Sequence, residues 1–374
     1  MPISFYSVDL HSKKNLPVIY SGILMKEMLE FLSHAESSTI YHHPAWLQAL
    51  SIESNQEAFY IIQRNNKGEI VLILPLLKTR GIPFGIGGML GSRRISSLPR
   101  TPYAGPIGSD ISEKAHLIDI LPQLFDVVQK HLFQIKTLNK SIDLSTLFNA
   151  YHWRNTFIKT LNAGSDKIIY KDKRSEKDID RMIKKAKSYG VKIYAANSLA
   201  DLKLWYKLYL EKMRHHSIPP RPIKFFIALW ENMDIGKMIR LNLAYINNSK
   251  LPIGGNLSFV FKDTFYAGFK GGLIKNMKMM YDDFLWDFEI RNAQMEGLSF
   301  FDLGEVPQNH TGLKKYKKKW GAKEIPIYHL YPENAKIIKS EFDSSDQDTG
   351  FRKYWNVLPI KTTAFLGGII NSFL

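Results

Sequence analysis

Residues 300–321 read FFDLGEVPQNHTGLKKYKKKWG: a short apolar run closing on Asp-Leu-Gly, a polar linker, and a segment with five lysines in its last ten residues. Read as a helix at about 100° per residue, the lysine-rich segment puts Leu313, Tyr316 and Trp320 on one face and Lys314, Lys315, Lys318 and Lys319 opposite. Lys317 departs from the other four. With Leu313 at zero it falls at roughly 40°, beside Tyr316 and Trp320 at roughly 300° and 340°. A lysine on an aromatic face either extends its ammonium to water or holds it in a low-dielectric place where the charge needs a partner. The first case makes the segment a basic patch, and the second makes it a catalytic element.

The flanking elements decide the fold class. Upstream, KMIRLNLAYINNSKLPIGGNLSFVFKDTFYAGFKG (237–271) reads as long antiparallel strands turning at Asn247 and Asn248 and again near Lys262 and Asp263, with a bulge expected at Gly254 and Gly255. YDDFLWDFEIRNAQMEG (281–297) reads as a helix with Tyr281, Phe284, Leu285, Phe288 and Met295 on its apolar face and Gly297 as its stop. SFFDLG is a short buried strand, and EIPIYHLY after the lysine-rich helix is another. Hairpin, helix, strand, helix, strand gives an α/β fold, a mixed sheet with helices on its faces.

Further upstream, RSEKDIDRMIKKAKSYGVKIYAA reads as a helix capped by Ser175 and Asp178 in an S-x-x-D pattern and closed by Gly190. Its apolar stripe is Ile179, Met182, Ile183 and Ala186, which leaves Arg181, Lys184, Lys185 and Lys187 outward. LADLKLWYKLYLEKMRHH is a second helix, stopped by the prolines of SIPPRP. The first part of the chain reads as a strand (ISFYSVDL), a helix around Met25–Leu32, and a helix opened by Pro44. A hairpin follows around Asn65–Gly68, then a Gly/Pro/Ser-rich loop over 81–109 and a helix over 113–133 broken at Pro122. The turn LNAGS marks a boundary, so the expected domains are 1–164, 165–335 and a C-terminal tail, 336–374. That tail is aromatic and apolar with few charges, and is expected to dock on the second domain or to lie at a membrane interface.

Composition narrows the chemistry. The absence of cysteine excludes disulfides, thiol nucleophiles and cysteine zinc sites. His215 and His216 are adjacent and lack a third ligand at useful spacing, so no metal is expected. No apolar run approaches the roughly 18 residues that span a bilayer, and MPISFYSVDLHSKK lacks a basic start followed by an apolar stretch. The expected location is the cytoplasm. A net charge of +16, from 51 Lys plus Arg against 35 Asp plus Glu, favours anionic partners: RNA, phosphorylated precursors or an acidic membrane face.

Several local sequences together resemble the acyl-CoA N-acyltransferase (GNAT) fold as duplicated in the FemAB family, whose members transfer aminoacyl groups from tRNA to peptidoglycan precursors. They are YHHPAWLQAL, LPRTPYAGPIG, AKSYGVKI, RHHSIPPRPIKFF, GGNLSFVFKDTFYAGF and FDLGEVPQNHTGLKKYKKKWGA. The nearest likeness is to FemAB-like proteins of bacterial exopolysaccharide systems, whose spaced proline, proline and phenylalanine fall on Pro219, Pro222 and Phe225 after His216. The family's aromatic-lysine pair falls on Tyr316 and Lys317, the lysine that the helical wheel singles out. The resemblance implies tandem GNAT-like domains. It further implies an acyltransferase moving an acyl or aminoacyl group to an amine of a cell-envelope or polysaccharide precursor.

Two departures bear on the donor. The Gln/Arg-x-x-Gly-x-Gly/Ala segment that grips the pyrophosphate of acetyl-CoA is missing, and so is the long helical hairpin of some peptidoglycan aminoacyltransferases between Met213 and Arg240. The donor is therefore left open between aminoacyl-tRNA and an acyl-CoA thioester, with no tightly bound cofactor and no DNA partner expected. Peripheral contact with the inner membrane face is one reading of the charge. Peptidoglycan interpeptide-bridge synthesis from tRNA is one alternative function, and a noncatalytic RNA- or membrane-surface-binding protein is another.

Acyl transfer to an amine passes through an oxyanion and needs a cation or aligned donors there, together with a route for the amine proton. Lys317 is the candidate cation. Asp302, at the end of a strand, is the candidate orienting carboxylate, with a helix-capping role as its alternative. Tyr103, Asn256, Tyr266, Lys270 and Tyr316 are the candidate substrate contacts, on a glycine-rich loop, on the strand hairpin and beside Lys317.

Overall fold

The computed structural model describes residues 3–7, 23–80, 93–108, 133–138, 148–247, 249–332 and 355–373. The helix expected over 113–133 lies outside them up to residue 132, and its last residue, Phe133, instead opens a strand; Pro122 and Asn248 also lie outside them. The chain forms two compact units, one of residues 1–154, 326–347 and 369–374, the other of residues 155–325 and 348–368.

In the first unit β1 (Ile3–Ser7), β2 (Ala58–Arg64) and β3 (Ile70–Arg80) are consecutive antiparallel neighbours. The β2–β3 turn needs a left-handed residue, and Gly68 supplies it at φ 83°. The glycine-rich stretch is less irregular than its composition suggests. It contains β4 (Arg93–Ser96), which pairs β3, and β5 (Ile107–Gly108), which also pairs β3. β4 continues in parallel to β6 (Phe133–Thr137), and β6 pairs antiparallel with residues 328–330 of β13 (Lys323–Pro332). Pro44 opens α2 (Pro44–Ser54) at its first turn, where its missing N–H costs nothing; α1 (Ile23–His34) precedes it.

The second unit holds a sheet in the order β7 (Phe148–Thr160, from Asn155 on), β12 (Phe300–Val306), β11 (Thr264–Gly272), β10 (Gly254–Phe261), β9 (Ile239–Ile246) and β8 (Val191–Ala196). Every pair in it is antiparallel except β11 with β12. β6 and β7 are not expected from the sequence; β7 mixes apolar and polar residues throughout and is more exposed in its first half and mostly buried in its second, so it gives no clean period of two. One face carries α3 (Lys173–Ser188), α6 (Tyr281–Met295) and α7 (Thr311–Lys319) over Phe157, Phe265, Trp286, Ile290, Phe301 and Trp320. The other carries α4 (Leu199–His215) and α5 (Ile223–Asn232), whose Trp205 and Tyr209 stack on one another while Phe226 meets both edge to face; Phe269 meets Tyr209 and Phe226 in the same way.

Four local expectations are corrected. The cap of α3 is Asp172, whose carboxylate accepts from Ser175 N at 2.7 Å; Ser175 lies inside the helix. The irregularity of the β10–β11 pair falls between Leu257 and Phe259, while Gly254 and Gly255 leave no room for a side chain: a Cβ at Gly254 would run into the Tyr281 ring, and one at Gly255 would meet Leu243 at 2.7 Å. Met295 of α6 is 62 % exposed. The buried arc of α6 is wide and centres on Trp286, Glu289, Ile290 and Ala293, because the helix is wedged between the sheet and α3. The lysines of α7 opposite its aromatic face are not all solvated: Lys314 and Lys318 pair with Glu324, and Lys319 with Asp178 at 2.8 Å, which leaves Lys315 exposed.

The C-terminal helix α8 (Ile360–Phe373) follows the buried Trp355 and lies against the proline turn, where a Cβ on Gly367 would meet Pro220 at 2.6 Å. Arg214 donates to the Leu358 carbonyl nearby. Among the described residues no helix is long and apolar enough to cross a membrane.

Candidate acyl-transfer site

The parallel pair at the centre of the second unit is short. β11 and β12 are in register only from Thr264 opposite Phe300 to Tyr266 opposite Asp302, although β11 runs on to Gly272 and β12 to Val306. Beyond Tyr266 and Asp302 the two strands part at their carboxyl ends, the place where parallel strands of α/β sheets expose backbone groups to ligands. A register shift between Asp302 and Glu305 in the β12–β7 pair and the left-handed Gly304, at φ 82°, mark the same break.

Lys317 fills the β12 side of this break. It is 5 % exposed, and its Nζ donates to the carbonyls of Leu303 at 2.6 Å, Gly304 at 2.8 Å and Glu305 at 3.3 Å. All three ammonium protons thus meet backbone acceptors. Burial pushes this group down to about 7, with Asp302 acting to raise it and Lys270 to lower it. Asp302 accepts from Thr156 Oγ1 and from Gly304 N, each at 2.8 Å, so it shapes the bulge.

The β11 side carries a polar row. Asn242, Asn256 and Lys270 lie opposite one another on β9, β10 and β11. Above them, on α6, Glu289 accepts from Asn256 Nδ2 at 2.9 Å, Asn242 Nδ2 at 3.0 Å and Ser258 Oγ at 3.1 Å. Burial pushes the Glu289 carboxyl up, and its donors hold it back. Asn256 Oδ1, on a 2 % exposed residue, has no hydrogen-bond partner among the described residues. The Lys270 ammonium sits 3.7 Å from the centre of the Trp286 ring. Trp286 in turn stacks on Tyr316, whose hydroxyl donates to Asp283 at 2.6 Å. Burial raises both Asp283 and Tyr316, the latter further because of the adjacent carboxylate. Asp282 pairs with Lys212 at 2.7 Å; burial alone would raise its carboxyl, but Lys212 and Lys270 bring it below the usual range.

Asn256, Lys270, Tyr316, Lys317, Asp302 and Tyr266 thus all belong to the second unit, on or beside the parting strands. Tyr103 belongs to the first unit, where it is buried with its ring edge-on to Tyr41 at 5.3 Å. Lys212, Asp282, Asp283, Trp286 and Glu289 escaped the sequence reading. Asp282, Trp286 and Glu289 recur at i, i+4 and i+7, one face of a helix, and this acid–aromatic–acid stripe was the available signal. His215 and His216 pack ring to ring at 5.0 Å, and among the described residues no group of three acidic or histidine side chains could hold a metal.

Residues 173–318 match the family model of the acetyltransferase (GNAT) domain. No curated protein matches the chain. Solved structures share its fold. FemX is 13% identical with a TM-score of 0.58, over 87% of this chain and 99% of that one. L-PGS from Bacillus licheniformis is 12% identical with a TM-score of 0.57, over 84% of this chain and 94% of that one. The C-terminal domain of a putative lysylphosphatidylglycerol synthetase from Agrobacterium fabrum is 12% identical with a TM-score of 0.55, over 86% and 95%.

Proposed function

We propose that this chain is an acyltransferase that moves an acyl or aminoacyl group from an activated donor to an amine of a cell-envelope or polysaccharide precursor. The observation that carries the reading is the parting of β11 and β12 with the Lys317 ammonium set into the break. Beyond Tyr266, β11 is no longer in register with β12, so backbone groups along its free side are held by the sheet before any substrate arrives, the condition for stabilising a developing oxyanion. Lys317 acts there as a charge. Its protons are held by the carbonyls of residues 303–305, so it offsets carbonyl dipoles that would otherwise repel the oxyanion. Asp302 positions this arrangement through Thr156 and Gly304.

The polar row of Asn256 and Lys270, with Tyr316 and Asp283, lines the β11 side and takes the acceptor; the unpartnered Asn256 Oδ1 suits a donor such as an amine or amide N–H. Aminoacyl-tRNA is the favoured donor. The exposed Arg181, Lys184, Lys185 and Lys187 of α3 suit a polyanion, and one structural neighbour carries the name of a putative lysylphosphatidylglycerol synthetase.

The test is transfer of a labelled acyl group, offered as aminoacyl-tRNA or as acyl-CoA, to amine-bearing envelope precursors. A product that disappears with Lys317→Met supports the reading. Salt-sensitive tRNA binding with no product from either donor favours a noncatalytic RNA-binding protein.

A further inference from the structure

Lys270 is chemically unlike the other lysines near the break. Lys317 has three carbonyls and Lys212 has the Asp282 carboxylate, whereas the Lys270 ammonium meets no hydrogen-bond acceptor among the described residues and rests on the face of Trp286. Its side chain is only partly covered, and it stands on β11 past the last residue paired with β12. The charged and titratable groups facing it are Lys212 from α4, Asp282, Asp283 and Glu289 from α6, and Tyr316 and Lys317 from α7. None of the carboxylates reaches it within hydrogen-bond distance, since Asp282, Asp283 and Glu289 are engaged by Lys212, by Tyr316 and by the asparagine pair with Ser258.

We propose that Lys270 is itself an acylation site, whose free Nζ on the Trp286 face takes an acyl group from an activated donor lying between β11 and β12. The inference rests on the acyl-transfer reading for delivery of the donor and adds a modification to it. The Nζ lone pair attacks the acyl carbonyl carbon and a C–N bond forms. The C–S bond of a thioester, or the C–O bond of an aminoacyl ester, breaks, and the leaving thiol or hydroxyl carries off the proton that Nζ loses. The product is an amide, which is neutral and stable. It removes the cation from Trp286 and fills the space beside Asn256, so acylated protein is closed to the acceptor.

A neutral amine is the reacting form. Burial pushes Lys270 down to about 8, opposed by Asp282, Glu289 and Asp283 and helped by Lys212. At pH 7.5 about a quarter of Lys270 is then neutral, against roughly one in a thousand for an ordinary lysine; allowing for the weaker nucleophile, about a tenfold faster reaction is expected.

Full-length protein is treated with trace N-hydroxysuccinimidyl acetate, a donor that needs no binding site, and acetylation of each lysine is read by peptide mass spectrometry from pH 6.5 to 10. Lys270 is expected to outpace the exposed Lys315 about tenfold at pH 7.5 and to level off above about pH 9, while Lys315 continues to climb. Lys270 reacting no faster than Lys315, or following the same pH curve, overturns the proposal whatever the transfer assay finds. A second arm offers acetyl-CoA or aminoacyl-tRNA alone. Modification of Lys270 by either supports the proposal, and modification by neither refutes it while leaving transfer to an external amine to its own assay.

Discussion

Replacing Lys317 by methionine keeps the length of the side chain and removes both its charge and its donors, and the structure allows the two losses to be weighed. The ammonium serves the Leu303 and Gly304 carbonyls at 2.6 and 2.8 Å, the first of these in a buried residue. Leaving one or two such acceptors without a donor costs about 1–3 kcal/mol each. Against this stands the cost of keeping a cation there, read from the fall of its pKa from 10.5 to about 7. The folded-state pKa lies below the unfolded one, so between about pH 7 and pH 10 the unfolded chain binds the extra proton and stability rises with pH. The slope approaches 1.4 kcal/mol per pH unit for one group. Below pH 7 both states are protonated and the slope vanishes.

Lys317→Met therefore changes little near pH 7, where the two losses offset, and costs about 2–4 kcal/mol near pH 9, where the wild type no longer holds a charge. Urea unfolding of both proteins at pH 7, 8 and 9 measures this, and the variant should lose the equivalent of one proton from the pH slope. Turnover in the transfer assay should fall roughly a hundredfold to a thousandfold, as for loss of electrostatic support to an oxyanion. An unchanged pH slope would show that Lys317 does not sit in a charge-hostile site. Full activity in the variant would sink its proposed role in catalysis.

Other expectations follow from the same site. Tyr316→Phe removes the hydroxyl bonded to Asp283, so stability should fall by about 1–3 kcal/mol and the Asp283 carboxyl should titrate at still higher pH, as carbon NMR of the side chain would record. Glu289→Gln offers one carbonyl oxygen in place of two to Asn242, Asn256 and Ser258, and should lower the urea midpoint by the equivalent of about 1–3 kcal/mol without a change in m; an unaltered midpoint would argue that the network is open to water. Binding of tRNA should weaken steeply with added salt, and replacing Lys184 and Lys185 should flatten that dependence. An affinity constant from low to high salt would remove RNA as the partner of α3.

Sequence alone determined the α/β class, the ends of most elements of the second unit and the inward placing of Lys317, because these follow from local rules. Periods of 2 and 3.6, proline at helix starts and glycine at left-handed turns need no knowledge of distant residues. Gly68, Gly190 and Gly297 all adopt positive φ where the turns require it. What sequence could not reach depends on partners far along the chain. Lys314, Lys318 and Lys319 looked solvated because Glu324 and Asp178 come to them only in the folded unit. α6 looked like a helix with a narrow apolar stripe because its second neighbour, α3, was not in view, and so Trp286 and Glu289 were passed over. The early end of the β11–β12 pairing, the fixing of all three Lys317 protons by one strand, and the isolation of Lys270 on a tryptophan face are tertiary decisions. Hydrogen bonds and desolvation act over a few ångströms between segments that are tens to more than a hundred residues apart, and no periodicity in the chain encodes which of them will meet.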